Sequence, residues 1–279
     1  MLSYRHGFHA GNPADVLKHA VAVFLARYLQ GKPGGVLLLD THAGSGLYDL
    51  HGAMAEKTGE WEDGVARVLA QPGEAPELLR DWLALVRARN PGGTLSVYPG
   101  SAALFALLRR PQDRVALYEL HPSDHAALTA QMRRESRVIV EKADGFAALD
   151  ALLPPPERRA LALIDPSYEV KTDYETVVTA LAGAWRKFPT GVYALWLPVI
   201  ERARTDAVLA AIVAAGLRKV FRLELCIVPD GAARGLTGSQ MLVVNPPWTL
   251  PDTAAAALPW LAAALNAQGP VGSGWLVPE

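Results

Sequence analysis

The sequence predicts an α/β fold: a mostly parallel sheet of seven strands with helices on both faces. Three observations predict it. Short apolar runs alternate with helical patterns along the chain, which is the signature of strand–helix–strand units. Small or acidic residues follow several of these runs, where open α/β sheets bind ligands. The last two runs are joined only by residues 229–239, too few for a helical crossover, so they pair antiparallel.

The predicted strands cover 36–40, 114–120, 137–141, 160–165, 191–197, 219–228 and 240–245. The predicted helices cover 14–29, 61–69, 77–88, 102–108, 122–134, 145–152, 172–187, 201–215 and 253–266. The first helix has a clear start: Asn12 caps, Pro13 takes the first helical position and Asp15 lies in the first turn. Leu17, Val21, Phe24, Leu25 and Tyr28 recur at helical spacing as a core face, flanked by Lys18, with His19 pointing away from it. Residues 48–98 interrupt the sheet and read as a helical insertion within a single domain spanning 1–279. Pro154-Pro155-Pro156 is a rigid connector. Seven strands ending in an antiparallel hairpin are the pattern of the class I S-adenosylmethionine-dependent methyltransferase fold, a Rossmann-like sheet.

The 279 residues can bury a substantial core. The formal net charge of −1 supplies no global basic field, so nucleic-acid binding needs a local patch. The single cysteine, Cys226, lies in a predicted strand as a buried thiol, and no zinc spacing exists. No run of eighteen apolar residues and no apolar leader occur, which points to no membrane span and, by elimination, to the cytoplasm.

Asp165-Pro166-Ser167-Tyr168 is the most informative segment. A buried strand ending in Asp-Pro-x-aromatic offers a carboxylate, a backbone carbonyl and a flat ring. That set suits the exocyclic amine of a heterocycle, and adenine or cytosine N-methyltransferases use it, usually as Asp-Pro-Pro-Tyr. Other strand ends add to it. Gly44 and Gly46 allow a tight turn and close ligand approach after the first strand, although Asp49 breaks the dinucleotide fingerprint. Glu119 can accept ribose hydroxyls, or be a solvated strand-end acid. Asp144-Gly145 can receive an adenine ring, or Asp144 can simply cap a helix. Ser101 caps a helix whose N-terminus suits a carboxylate. Asn245-Pro246-Pro247-Trp248 matches the amine-binding pattern more closely, but an antiparallel last strand puts it on the opposite sheet edge. It reads as a strand terminator with a packed Trp248. Tyr4-Arg5-His6-Gly7-Phe8-His9 interleaves aromatic and basic residues, as single-stranded nucleic acid requires, or is a loosely anchored terminus. Lys18, His19 and His42 add positive potential there, and Arg234 in the 229–239 loop can also reach substrate.

With these residues assembled, the chain resembles the bacterial 23S rRNA (adenine(2030)-N(6))-methyltransferase family, RlmJ type, over nearly its whole length. The resemblance is specific at His9-Ala10-Gly11-Asn12, Asp15-Val16-Leu17-Lys18-His19, Asp40-Thr41-His42-Ala43-Gly44, Glu119-Leu120-His121-Pro122-Ser123, Glu141-Lys142-Ala143-Asp144-Gly145-Phe146 and Lys171-Thr172-Asp173-Tyr174. It implies that His19, His42, Ser101, Glu119, Asp144, Gly145 and Asp165 contact S-adenosylmethionine, leaving S-adenosylhomocysteine as product, with no metal. It implies Asp165 as the catalytic acceptor, and Tyr4, His6, Lys18 and Tyr168 on the substrate side. It implies action by a monomer on 23S rRNA that is protein-free or early in assembly. Ser167 replaces the family's second proline and Pro13 a commoner histidine. The alternatives are a DNA or cytosine N-methyltransferase, and a catalytically weakened nucleic-acid-binding protein of the same fold. A nicotinamide-dependent oxidoreductase ranks behind both, because the fingerprint is incomplete.

Overall fold

The computed structural model describes residues 4–232 and 235–279, so Arg234 lies outside the described residues. The elements run in chain order: α1 (Pro13–Gln30), β1 (Leu37–Asp40), β2 (Leu47–Asp49), α2 (Ala53–Thr58), a π-helical turn (Glu62–Ala66) leading into α3 (Arg67–Leu69), and α4 (Glu77–Ala88). Then come β3 (Val97–Pro99), α5 (Ser101–Leu108), β4 (Arg114–Tyr118), α6 (Pro122–Met132), β5 (Val138–Glu141), α7 (Gly145–Leu152) and β6 (Ala160–Ile164). The chain ends with α8 (Asp173–Lys187), β7 (Val192–Val199), α9 (Arg202–Ala214), β8 (Val220–Cys226), β9 (Gly238–Val244), α10 (Leu250–Ala264) and β10 (Val271–Val277).

The main sheet has the order β10-β8-β9-β7-β6-β1-β4-β5. The strands β5, β4, β1, β6 and β7 are parallel, and β9 runs antiparallel between β7 and β8. The sheet is therefore the class I methyltransferase fold plus one strand. That extra edge strand, β10, pairs antiparallel with β8 and is absent from the sequence reading. Gly272 and Gly274 dilute its apolar pattern, and an edge strand that is mostly half-buried has little to alternate. The ribbon β2–β3 was also missed, because three-residue strands carry no readable period.

Alternation along the strands makes two cores. Leu38, Val115, Leu117, Leu161 and Leu163 pack under α1, α4, α5 and α10. Leu37, Leu39, Ala116, Ala162 and Ile164 pack against α7, α8 and α9. Helix α1 is buried along most of its length because α4, from the segment between β2 and β3, covers its second side. His19 consequently does not face solvent; it is 1% exposed. The Asn12 side chain accepts the Asp15 amide at 2.9 Å, as a cap should.

Asn245 ends β9 at the start of β7, where its side-chain amide donates to Pro189 and Gly191 carbonyls. That is the edge away from the strand C-termini, so Asn245-Pro246-Pro247-Trp248 ends a strand and nothing more. Trp248, however, is 79% exposed and not packed.

Gly145 starts α7 where a Cβ would stand 1.8 Å from the Thr41 carbonyl oxygen. Backbone crossing backbone by itself requires the glycine here, at a position that also lines the cavity. Gly145→Ala should therefore cost on the order of 3 kcal/mol, the upper end of overpacking penalties. Urea denaturation measures it, and an unchanged midpoint would contradict this packing.

Candidate active site

A cavity of about 960 Å³ opens at the C-terminal ends of the parallel strands. It is centred where the strand order reverses, between β1 and β6. One wall is the turn after β1 with Gly100, Ser101, Glu119, Asp144 and Gly145. The other holds Tyr4, His6, Lys18, Asp165, Pro166 and Trp196.

The glycine turn is fastened to Glu119. One carboxylate oxygen accepts the Gly44 amide at 2.8 Å and the other the His121 amide at 2.6 Å. Gly44 itself has φ +60°, and a Cβ there would meet the Tyr48 hydroxyl. Asp144 caps α7, its Oδ1 accepting the Phe146 amide at 2.9 Å, while the residue also lines the cavity. Capping and ligand binding were alternatives in the sequence; here one side chain sits where it can serve both. Ser101 is the first residue of α5 and Gly100 holds the cap position, so the expected serine cap is displaced by one residue.

Burial decides the charge state of the histidines. It pushes His19 down to about 3, against the pull of Asp15, and His42 down to about 4. His19 Nδ1 pairs with the Tyr98 hydroxyl at 2.7 Å, and His42 Nδ1 with the Thr41 hydroxyl at 2.8 Å. Both rings are neutral near pH 7, so neither adds the positive potential expected of it.

Lys18 supplies that potential, and two carboxylates share it. Its Nζ donates to Asp165 at 2.6 Å and lies 2.8 Å from Asp15. All three side chains are largely buried. Desolvation lifts Asp165 above the usual carboxylate range, with Lys18 pulling the other way. Burial would lift Asp15 too, but His6 and Lys18 outweigh it and hold Asp15 well below that range. Asp15 also accepts His6 Nε2 and the Gly11 amide, each at 2.9 Å. From sequence alone Asp15 was only a residue of a first helical turn. Its spacing of three from Lys18 and four from His19, all on one helix face, was the signal available.

The N-terminal segment is docked across the cavity rather than loose. The Tyr4 hydroxyl pairs with His6 Nδ1 at 2.9 Å, and the Tyr4 ring stacks on His9. Arg5 reaches Asp124 on α6 at 3.2 Å, and the Tyr4 amide donates to Glu169 beyond β6.

Tyr168 departs from expectation. It is buried, does not line the cavity, and donates its hydroxyl to the Trp196 carbonyl at 2.6 Å. It packs on Tyr174 and Trp196 in the core between the sheet and α8. Ser167 faces the cavity, and its hydroxyl accepts the Glu169 amide at 3.4 Å, closing the turn that the missing proline would have stiffened.

Asp40 is fully buried at the end of β1. Burial raises its carboxyl from 3.8 to about 7, although the Ser101 hydroxyl and the His42 amide pull it down. From sequence alone it had no role of its own.

The fold and this site define a class I methyltransferase. A family model described as Ribosomal RNA large subunit methyltransferase D, RlmJ, matches residues 34–277. The chain belongs to that family. It is 47% identical over 284 aligned residues to Ribosomal RNA large subunit methyltransferase J of Escherichia coli (strain K12), with both chains covered in full. It is 44% identical over 283 to the protein of that name from Haemophilus influenzae, again in full. A crystal structure of a Legionella pneumophila protein aligns with TM-score 0.86 and 36% identity over 95% of this chain and 96% of the other.

Two outcomes follow. Lys18→Met leaves two buried carboxylates without their cation and should cost about 3–5 kcal/mol, read from denaturant unfolding; a loss under about 1 kcal/mol would contradict the shared pair. Asp40 keeps its proton in the folded state up to about pH 7, while the unfolded chain loses it near 3.8. Folding of the wild type thus weakens as pH rises through that window, and the deficit is complete above it. Thermal melts should show Asp40→Asn gaining on the wild type from pH 5 to 8; parallel curves would contradict a buried, protonated Asp40.

Proposed function

We propose that this protein transfers a methyl group from S-adenosylmethionine to N6 of one adenine in 23S rRNA, adenine 2030 by family resemblance. The observation that carries this reading is Asp165 at the cavity edge, with its carboxylate tied to Lys18 and the Pro166 carbonyl next in the chain. The names of the full-length relatives support the rRNA substrate. By the same resemblance the substrate form is protein-free or early-assembly rRNA, and the flat target base must leave its stack to reach the acid. The protein acts as a monomer in the cytoplasm, where that rRNA is made. Among the described residues no helix is long and apolar enough to cross a membrane.

The residues fit the cofactor. Glu119 has two acceptor oxygens beside Gly44 for ribose hydroxyls, and Asp144 and Gly145 border the adenine position. The α5 N-terminus at Ser101 suits the methionyl carboxylate. His19, His42 and Asp165 complete the set. When bound, S-adenosylmethionine supplies an electrophilic methyl group on a sulfonium.

The protein does the positioning. The adenine amine is a weak nucleophile because its lone pair is delocalised into the ring. Asp165 Oδ2 belongs to Lys18, so Oδ1 and the Pro166 carbonyl accept the two amine N–H groups and favour a pyramidal nitrogen. Asp165, with its proton affinity raised by burial, takes the proton the amine releases. Tyr4 and His6 close the substrate side.

Asp165→Ala should lower methyl transfer to a protein-free 23S rRNA fragment by roughly three orders of magnitude or more. Radiolabelled methyl incorporation measures it, with circular dichroism as the control for folding. A folded variant with near-wild-type turnover would sink the assignment.

A further inference from the structure

An amine-methylating site needs a ring to replace the stacking the target base loses, and Tyr168 does not provide it. Its ring lies in the core, and its hydroxyl is committed to the Trp196 carbonyl. The neighbouring strand carries a ring that does line the cavity. The β6–β7 register ends with Ile164 opposite Leu195, so the next residues, Asp165 and Trp196, follow side by side. Trp196 is half-buried and lines the cavity, and the Lys18 ammonium bonded to Asp165 lies 5.6 Å from its ring centroid.

The surface beyond Trp196 is apolar. β7 runs four residues past its last pairing with β6, through Trp196 to Val199. Pro198 and then Ile200 continue the alternation from Trp196, and both line the cavity. Strand β9 pairs beside them, and Leu236, two residues before it, lines the same rim. Val170, Ile200 and Leu236 are 49%, 47% and 42% exposed, large aliphatic side chains left uncovered at the cavity beyond β6 and β7; Leu120, 48% exposed, lines it after β4. Grouped exposed apolar residues around a recessed polar group mark a binding surface.

We propose that Trp196 is the platform on which the target adenine stacks, and that the rim of Val170, Ile200 and Leu236 receives an adjoining unpaired base of the same RNA strand. This rests on the rRNA-methylating reading above. An unpaired purine fits the surface because it brings a wide π-face to an indole and its amine to the carboxylate beside that indole. Stacking is sequence-tolerant, so Trp196 holds the base while Asp165 and Pro166 select the amine.

The test is methyl transfer to a protein-free 23S rRNA fragment by the wild type, Trp196→Leu, Trp196→Phe and the rim variant Ile200→Ser with Leu236→Ser. Binding of S-adenosylhomocysteine is measured by calorimetry for each. Trp196→Leu should lose roughly 10- to 100-fold in kcat/KM, the range of base–aromatic stacking, with cofactor affinity changed by less than about 2-fold. Trp196→Phe should recover most of that loss, which a merely space-filling role would not require. The rim variant should raise KM for the fragment several-fold with kcat retained, and decides the matter if Trp196→Leu fails to fold. An active wild type alongside a folded Trp196→Leu of equal kcat/KM, or an unaffected rim variant in its place, overturns this inference alone. A wild type that methylates no rRNA overturns the function and this inference with it.

Discussion

The site depends on one buried cation shared between two carboxylates. Lys18 joins the first helix to the end of β6 through Asp15 and Asp165. Without it the chain would bury two acids with one fewer counter-charge, and burial of an unpaired charge costs several kcal/mol. With it, one ammonium does two different jobs. It leaves Asp15 firmly ionised, able to hold His6 and the Gly11 amide, and so docks the N-terminal segment. At Asp165 it holds Oδ2 and opposes burial, which still leaves that carboxyl with a proton affinity above its ordinary value. The same ammonium thus orders the N-terminal segment through Asp15 and fixes the carboxylate at the end of β6.

The sheet supplies the geometry around that contact. Reversal of strand order between β1 and β6 opens the cavity, and the glycine turn held by Glu119 forms its cofactor side. The over-long β7 and the antiparallel β9 raise a second wall that the parallel strands alone could not build. The two walls differ chemically. One presents acceptors and helix ends, the other an indole and aliphatic side chains; in the proposed function the first takes the cofactor and the second the base.

Much of this was legible in the sequence, and the exceptions have physical reasons. The seven core strands were readable because each is a short apolar run closed by an acid, a glycine or a turn. Sheet polarity alone separated Asp165-Pro166-Ser167-Tyr168 from the closer match at Asn245, a decision that needs topology and no side-chain detail. β10 escaped because glycines and partial exposure erase the period. The direction of Tyr168 was illegible because it follows from a tight backbone turn with φ +54°, which turns the ring into the core. The neutrality of His19 and His42 was illegible too, since burial and not identity sets it. Trp196 looked like one more apolar residue in a strand; only the strand register brings it beside Asp165.

In the proposed function this carboxylate-centred site acts on one adenine of 23S rRNA. Mass spectrometric mapping of modified nucleosides in 23S rRNA from cells lacking the protein tests it most directly. A single N6-methyladenosine should disappear and return when the wild-type chain is restored, with all other modifications unchanged. An rRNA whose N6-methyladenosines are all intact in its absence would contradict the account.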